Sequence, residues 1–138
     1  MRKFFPPFLD GSPAVGLLFL RLIMGAAFVL HGFDKIQHPF DWMGDKVPGA
    51  LQALAAFSEF GGGIALILGL LTPLAALGLM CTMFVGALKH IAVDKYPFVA
   101  KGDSWEAAGV YFVLALMLVL TGPGKLSLDA LLFGRNKK

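Results

Sequence analysis

The chain has one cysteine, Cys81, among 138 residues. That excludes an internal disulfide and any cysteine-rich metal cluster, and the apolar run around Cys81 gives it a packing role. Charge is also scarce. Only 15% of the residues are Asp, Glu, Lys or Arg, whereas 57% are hydrophobic, and the mean hydropathy is +0.75. A water-soluble domain of this length is rarely so apolar. No Lys/Arg cluster interleaves with aromatics and the net charge is only +3, so nucleic acid is not an expected partner. No internal repeat argues for inverted halves. Gly61-Gly62-Gly63 has no strand before it and no GKS/T after it, which excludes a phosphate-binding loop.

What is present is a set of long apolar runs. A membrane-spanning helix needs about 20 mostly apolar residues, and four segments qualify: about Ala14–Phe33, Ala50–Leu71, Pro73–Val93 and Ser104–Thr121. Pro13 and Pro73 stand at helix starts, where a missing N–H costs little. Gly122-Pro123-Gly124 stops the fourth span. Arg2 and Lys3 could open a cleavable leader, but Pro6, Pro7, Asp10 and Pro13 interrupt it and no small-residue site follows. The first run therefore reads as a retained span. Spans two and three are joined by little more than Leu71-Thr72-Pro73, which forces an antiparallel hairpin. The expected architecture is all-α: a single transmembrane domain over residues 1–138, built as an antiparallel four-helix bundle with both termini on one face. The tail "LSLDALLFGRNKK" is expected to form a short interfacial helix. Lys and Arg number six on the terminal face and five on the long-loop face, a bias that leans towards cytoplasmic termini in a plasma membrane.

Polar residues interrupt these runs at telling places. His31, Glu59, His90 and Glu106 put one ionisable group from each span into the half of the bundle near the long loops. Arg21 sits roughly 18 Å below that face and Glu59 roughly 13 Å, at 1.5 Å per residue. At 100° per residue, Arg21, Gly25, Phe28, His31, Gly32 and Lys35 share one stripe. Gln52, Glu59 and Gly63 share another, Met83, Gly86, Ala87 and His90 a third, and Glu106, Val110, Val113 and Met117 a fourth. Small residues in polar stripes mark faces where membrane helices approach closely, so these stripes are expected to point inward. A buried guanidinium needs a partner. Glu59 is the one carboxylate at comparable depth, and an Arg21–Glu59 pair is the expected result.

The stretches "LRLIMGAAFVLHGFDK", "EFGGGIALILGLLTPLAAL", "MFVGALKH" and "GPGKLSLD" resemble those of DoxX-type membrane proteins, relatives of the small membrane subunit of thiosulfate:quinone oxidoreductase. Arg21, His31, Gly32, Lys35, Glu59, Gly69, Thr72, His90, Gly122, Gly124 and Asp129 fall on family-typical positions. The resemblance implies a redox-associated membrane function: an oxidoreductase component passing electrons from a small, sulfur-containing reductant to quinone. The sequence carries no flavin, haem or iron–sulfur motif, so a partner redox subunit or the quinone itself would have to carry the electrons.

On that expectation His31 and His90 are the candidate catalytic groups, exchanging protons near neutral pH, and Arg21, Glu59, Lys35 and Glu106 are the candidate binding residues. Each has a plainer reading. Arg21 and Glu59 could form a register-fixing ion pair. The histidines could be bonded to backbone or water. Lys35 and Lys89 could snorkel to the interface, Glu106 could complement its helix dipole, and Asp129 could act as a cap or an ion-pair partner. Quinone is the candidate cofactor. Two histidines and a carboxylate can hold a metal, but no local HExxH or ExxH motif supports one. The alternatives are a small-solute binding or transport protein and a non-catalytic anchor for a soluble enzyme. The lipid bilayer is an expected partner under every reading, and a homo-oligomer is a candidate assembly.

Overall fold

A computed structural model describes residues 7–134. The expectations placed on Arg2, Lys3, Pro6, Arg135, Lys137 and Lys138 lie outside the described residues. Four long helices run Ser12–Gln37 (α1), Gly49–Leu68 (α2), Thr72–Ala92 (α3) and Glu106–Thr121 (α4), followed by a short helix Leu128–Phe133 (α5). This is the all-helical bundle that the apolar runs predict. By length and composition α1, α2 and α3 can each cross a membrane. α4 has 16 residues, or roughly 24 Å at 1.5 Å per residue. That falls short of a hydrocarbon core about 30 Å thick and calls for local thinning or help from its neighbours. Its span begins at Glu106 rather than Ser104.

Several helix ends have an identifiable cause. Pro13 and Pro73 occupy the first turns of α1 and α3. α2 ends on Gly69 in the left-handed conformation, φ 65°, with its N–H returned to the end of the helix. This backbone conformation is cheap for glycine. Two residues later Leu71 also adopts a left-handed conformation, φ 49°, which is costly for a branched residue and must be held by its surroundings.

α1 packs on α2, α2 on α3 and α3 on α4. α1 and α2 cross at Gly25 and Gly63. A Cβ on Gly25 would lie 2.6 Å from the Gly63 carbonyl oxygen, and one on Gly63 would lie 2.8 Å from the Gly25 oxygen. The small residues therefore let backbones touch, as membrane helices favour. Leu17, Met24, Phe28, Leu66, Ala76, Leu79, Ala115 and Leu118 form the core. Phe28 of α1 meets Tyr111 of α4 with ring centroids 5.0 Å apart. Outside this core lies a broad apolar belt that includes Phe19, Ile23, Leu30, Leu54, Leu74, Val85 and Leu120. Such a belt would be a liability in water; in lipid it is the required solvent-facing surface.

Two expectations about facing are corrected. The α4 stripe Glu106, Val110, Val113 and Met117 points outward, and Ala115 and Leu118 are the buried residues. α4 is apolar around its whole circumference after Glu106, so its sequence marks no inner face, and Tyr111 rather than Glu106 turns towards α1. Cys81 is exposed on α3 rather than packed in the core.

Candidate functional site

The two ends of the α1–α2 pair are built differently. At the long-loop end, Lys35 in the last turns of α1 reaches Glu59 on α2. Its Nζ donates to both carboxylate oxygens, at 2.8 and 2.6 Å. The Glu59 side chain is 3% exposed and that of Lys35 27%, so a buried carboxylate is neutralised by a cation that still touches the surface. The Trp42 ring lies over the ammonium, 4.6 Å from Nζ to the ring centroid, a cation–π contact. A buried carboxylate and an ammonium therefore stand together, with an aromatic ring over the ammonium.

Gln52, two turns from Glu59 on the same face of α2, is 1% exposed and organises the loop above. Its Nε2 donates to the carbonyls of Gly44 and Val47, at 2.8 and 2.7 Å. Its Oε1 accepts from the Met43 N–H at 2.7 Å, and its own carbonyl accepts from Trp42 Nε1 at 3.1 Å. Sequence reasoning placed Gln52 only in a stripe with Glu59 and Gly63. The available signal was a carboxamide seven residues, or two turns, from a buried carboxylate, facing a Gly- and Pro-rich loop.

The histidines are not brought together. His31 is exposed on α1, one turn from Lys35. His90, at the end of α3, pairs its Nδ1 with Asp94 Oδ2 at 2.9 Å and stacks on Tyr96 at 5.3 Å. Lys89 joins the same carboxylate oxygen at 2.7 Å. Its hydrogen bond, together with His90, holds the Asp94 carboxyl below the ordinary carboxylate value, while the Asp103 carboxylate pushes the Tyr96 phenol up. Glu106 is exposed at the first residue of α4, where it complements the helix dipole. Among the described residues no three His, Cys, Asp or Glu side chains gather closely enough to hold a metal ion.

At the opposite end the expected Arg21–Glu59 pair is replaced by another arrangement. Arg21 is fully buried. Its Nη1 donates to the Leu66 carbonyl at 3.2 Å and its Nη2 to the Leu126 carbonyl. The nearby Asp129 carboxylate supplies the opposing charge. Asp129, also fully buried, accepts from the Leu71 and Thr72 N–H groups at 2.6 and 2.8 Å. A cation thus meets the carbonyl end of α2 and an anion the amide end of α3, each opposing the local dipole. Gly69 is required here a second time, because any Cβ would strike the Arg21 guanidinium. The error about Arg21 came from reasoning on depth alone. A guanidinium can be satisfied by carbonyls at a helix end, and the segment carrying Leu126 and Asp129 returns from far along the chain.

A sequence model of the DoxX family matches residues 16–91, which hold Arg21, Lys35, Glu59 and the hairpin turn. The chain belongs to the DoxX family. This DoxX protein is 34% identical over 135 residues to the "Inner membrane protein YqjF" of Escherichia coli (strain K12), covering 90% of this chain and 95% of that one. It is 32% identical over 140 residues to "Uncharacterized membrane protein Rv3486" of Mycobacterium tuberculosis, covering 87% and 82%. It is 28% identical over 133 residues to "Putative oxidoreductase CatD" of Bacillus subtilis, covering 94% and 96%. No solved structure matches. Family and apolar helices together make this DoxX chain a membrane protein in contact with the lipid bilayer.

Proposed function

We propose that this DoxX protein is an inner-membrane component of a redox system in which a small reductant, a sulfur compound foremost, gives electrons to quinone at the long-loop end of the bundle. The observation that carries the reading is the Lys35–Glu59 pair beneath Trp42; a relative named as a putative oxidoreductase supports it.

The residues suit a quinone head group. Such a ring needs a donor for its carbonyl, an acceptor for its hydroxyl proton and an apolar surround. Lys35 supplies the donor, Glu59 the acceptor, and Trp42 with the surrounding apolar helices the surround. Quinone, when bound, supplies the electron sink that the chain's own side chains do not offer. Lys35 orients the oxygen, Glu59 holds or releases the proton, and burial keeps water from competing. In this reading His31, one turn below Lys35, and His90 with Asp94 move protons between the Lys35–Glu59 pair and solvent. The electron-donating partner is a second redox subunit or a soluble enzyme docked at this face. Arg21 keeps the fold rather than the chemistry, and the chain ends face the cytoplasm.

The test uses purified protein in lipid nanodiscs with a quinone analogue and candidate sulfur reductants, followed by quinone absorbance. Turnover that is abolished in Glu59→Gln and reduced in His90→Ala supports the reading. Flux of solute into liposomes without oxidation would replace it with transport. Absence of turnover together with retention of a soluble enzyme would replace it with anchoring.

A further inference from the structure

We infer that Gln52 is the positioning residue of a lid. It holds the loop between α1 and α2 so that Trp42 covers Lys35, and ligand reaches the buried Glu59 only when that loop lifts. The inference rests on the reading of Lys35 and Glu59 as the ligand site.

Apart from two local backbone turns, Asp41 N–H to the His38 carbonyl and Gly44 N–H to the Asp41 carbonyl, the loop has little else to hold it. Between Gln37 and Gly49 its one helical turn is the 3-10 turn Gly44–Lys46, whose residues are all exposed. A loop of this length would ordinarily be mobile. Here a single side chain gathers it. The Gln52 carboxamide satisfies the Met43 N–H and the Gly44 and Val47 carbonyls, and the Gln52 carbonyl takes the Trp42 indole N–H. Residues 42–47 are therefore fixed as one unit. At its near edge the unit rests on α2 where Gly49 meets the Phe40 carbonyl, at a distance that a Cβ would reduce to 2.9 Å.

Lys35 Nζ is engaged by both Glu59 oxygens and faced by the Trp42 ring, so a ligand carbonyl would compete with the ring for the ammonium. Entry thus requires the ring to move. The ring is tied at its N–H edge to the backbone carbonyl of Gln52 on α2, and its own backbone belongs to the loop that the Gln52 amide holds. Lys35 is still 27% exposed, so a small opening suffices. Both donors and the acceptor of the Gln52 amide are engaged. Alanine would leave three loop groups without their partner. Glutamate would set a carboxylate against two carbonyl oxygens.

The experiment measures acetylation of Lys35 by a water-soluble amine reagent in nanodiscs, resolved by mass spectrometry, with exposed Lys101 as the internal reference. Tryptophan quenching by acrylamide is followed in a Trp105→Phe background, which leaves Trp42 as the single indole. Gln52→Ala, which removes three loop hydrogen bonds, is expected to raise the Lys35-to-Lys101 labelling ratio at least about tenfold, the factor that even one lost net hydrogen bond brings, and to raise quenching of Trp42 in parallel. Trp42→Ala, which keeps the Gln52 amide bonds, should raise labelling without unfolding the loop and so serves where Gln52→Ala folds poorly. Unchanged labelling in both variants overturns the lid. A rise in Trp42→Ala alone overturns the role of Gln52. Labelling that responds as expected while no variant, nor the parent protein, oxidises any reductant leaves the lid standing and removes the redox reading instead.

Discussion

Arg21 and Lys35 lie on one stripe of one helix, 14 residues or roughly 21 Å apart, yet they solve the same problem in opposite ways. Arg21 is sealed: its two terminal nitrogens meet backbone carbonyls while its buried Nε has no partner, and its counter-charge, Asp129, is spent on capping α3. Nothing can approach it without unfolding the hairpin end. Lys35 is open on one side, paired with a single carboxylate and faced by one aromatic ring. Two intramembrane cations therefore need not mean two functional sites. A charge whose partners are all backbone and caps belongs to the architecture. One whose partner is a buried acid near a loop is available for chemistry.

The comparison breaks most readily at the sealed end. Asp129→Ala removes the cap of α3, leaves the strained Leu71 turn unsupported and strips Arg21 of its counter-charge, at a cost of about 3–5 kcal/mol. Chemical unfolding in detergent should show this as a large midpoint shift or as loss of folded protein; wild-type stability would erase the distinction between the two ends. Next comes the crossing between them. Gly63→Ala sets a methyl against the Gly25 carbonyl and should cost about 1–3 kcal/mol by forcing the backbones apart, read in the same unfolding experiment.

Glu59→Gln sharpens the contrast. Lys35 is partly hydrated, so the stability loss should be only about 1 kcal/mol, whereas turnover with a quinone analogue should vanish. Arg21→Met combined with Glu59→Gln should be additive within about 0.5 kcal/mol, because the two residues share no partner. A coupling well above that would restore the direct pair. The smallest effect concerns the loop after α3. Asp94 is held below its ordinary 3.8, so its contacts with Lys89 and His90 stabilise the folded loop above that value and are lost as pH falls through the lowered one. Amide exchange in residues 93–105 should therefore quicken below about pH 4 while that of α2 stays unchanged.

Much of the fold could be read in the chain. The hairpin follows from Leu71-Thr72-Pro73, the starts of α1 and α3 from their prolines, and the inner faces of α1 and α2 from stripes that mix polar residues with glycine. α4 could not be read in the same way. A helix apolar on every side carries no mark of which side packs, and its stripe was assigned to the wrong face. His31 shared the Arg21 stripe and still faces out, since a stripe a third of the helix wide spans both core and rim. Of the site, Glu59 was legible as an intramembrane ion and Lys35 as a candidate binding residue beyond the end of span one, but their pairing was not. Depth along an axis ranks candidates without showing which loops or termini return to meet them.

The sequence by itself settled that this chain crosses a membrane, how many apolar helices it has and which ones form a hairpin, because a bilayer demands long apolar runs and punctuates them with proline and glycine. Only the tertiary structure decided which cation is sealed and which is accessible. That choice depends on contacts between residues distant in sequence: Asp129 and Leu126 returning to Arg21, and the Gln52-held loop closing over Lys35. No local pattern encodes those meetings.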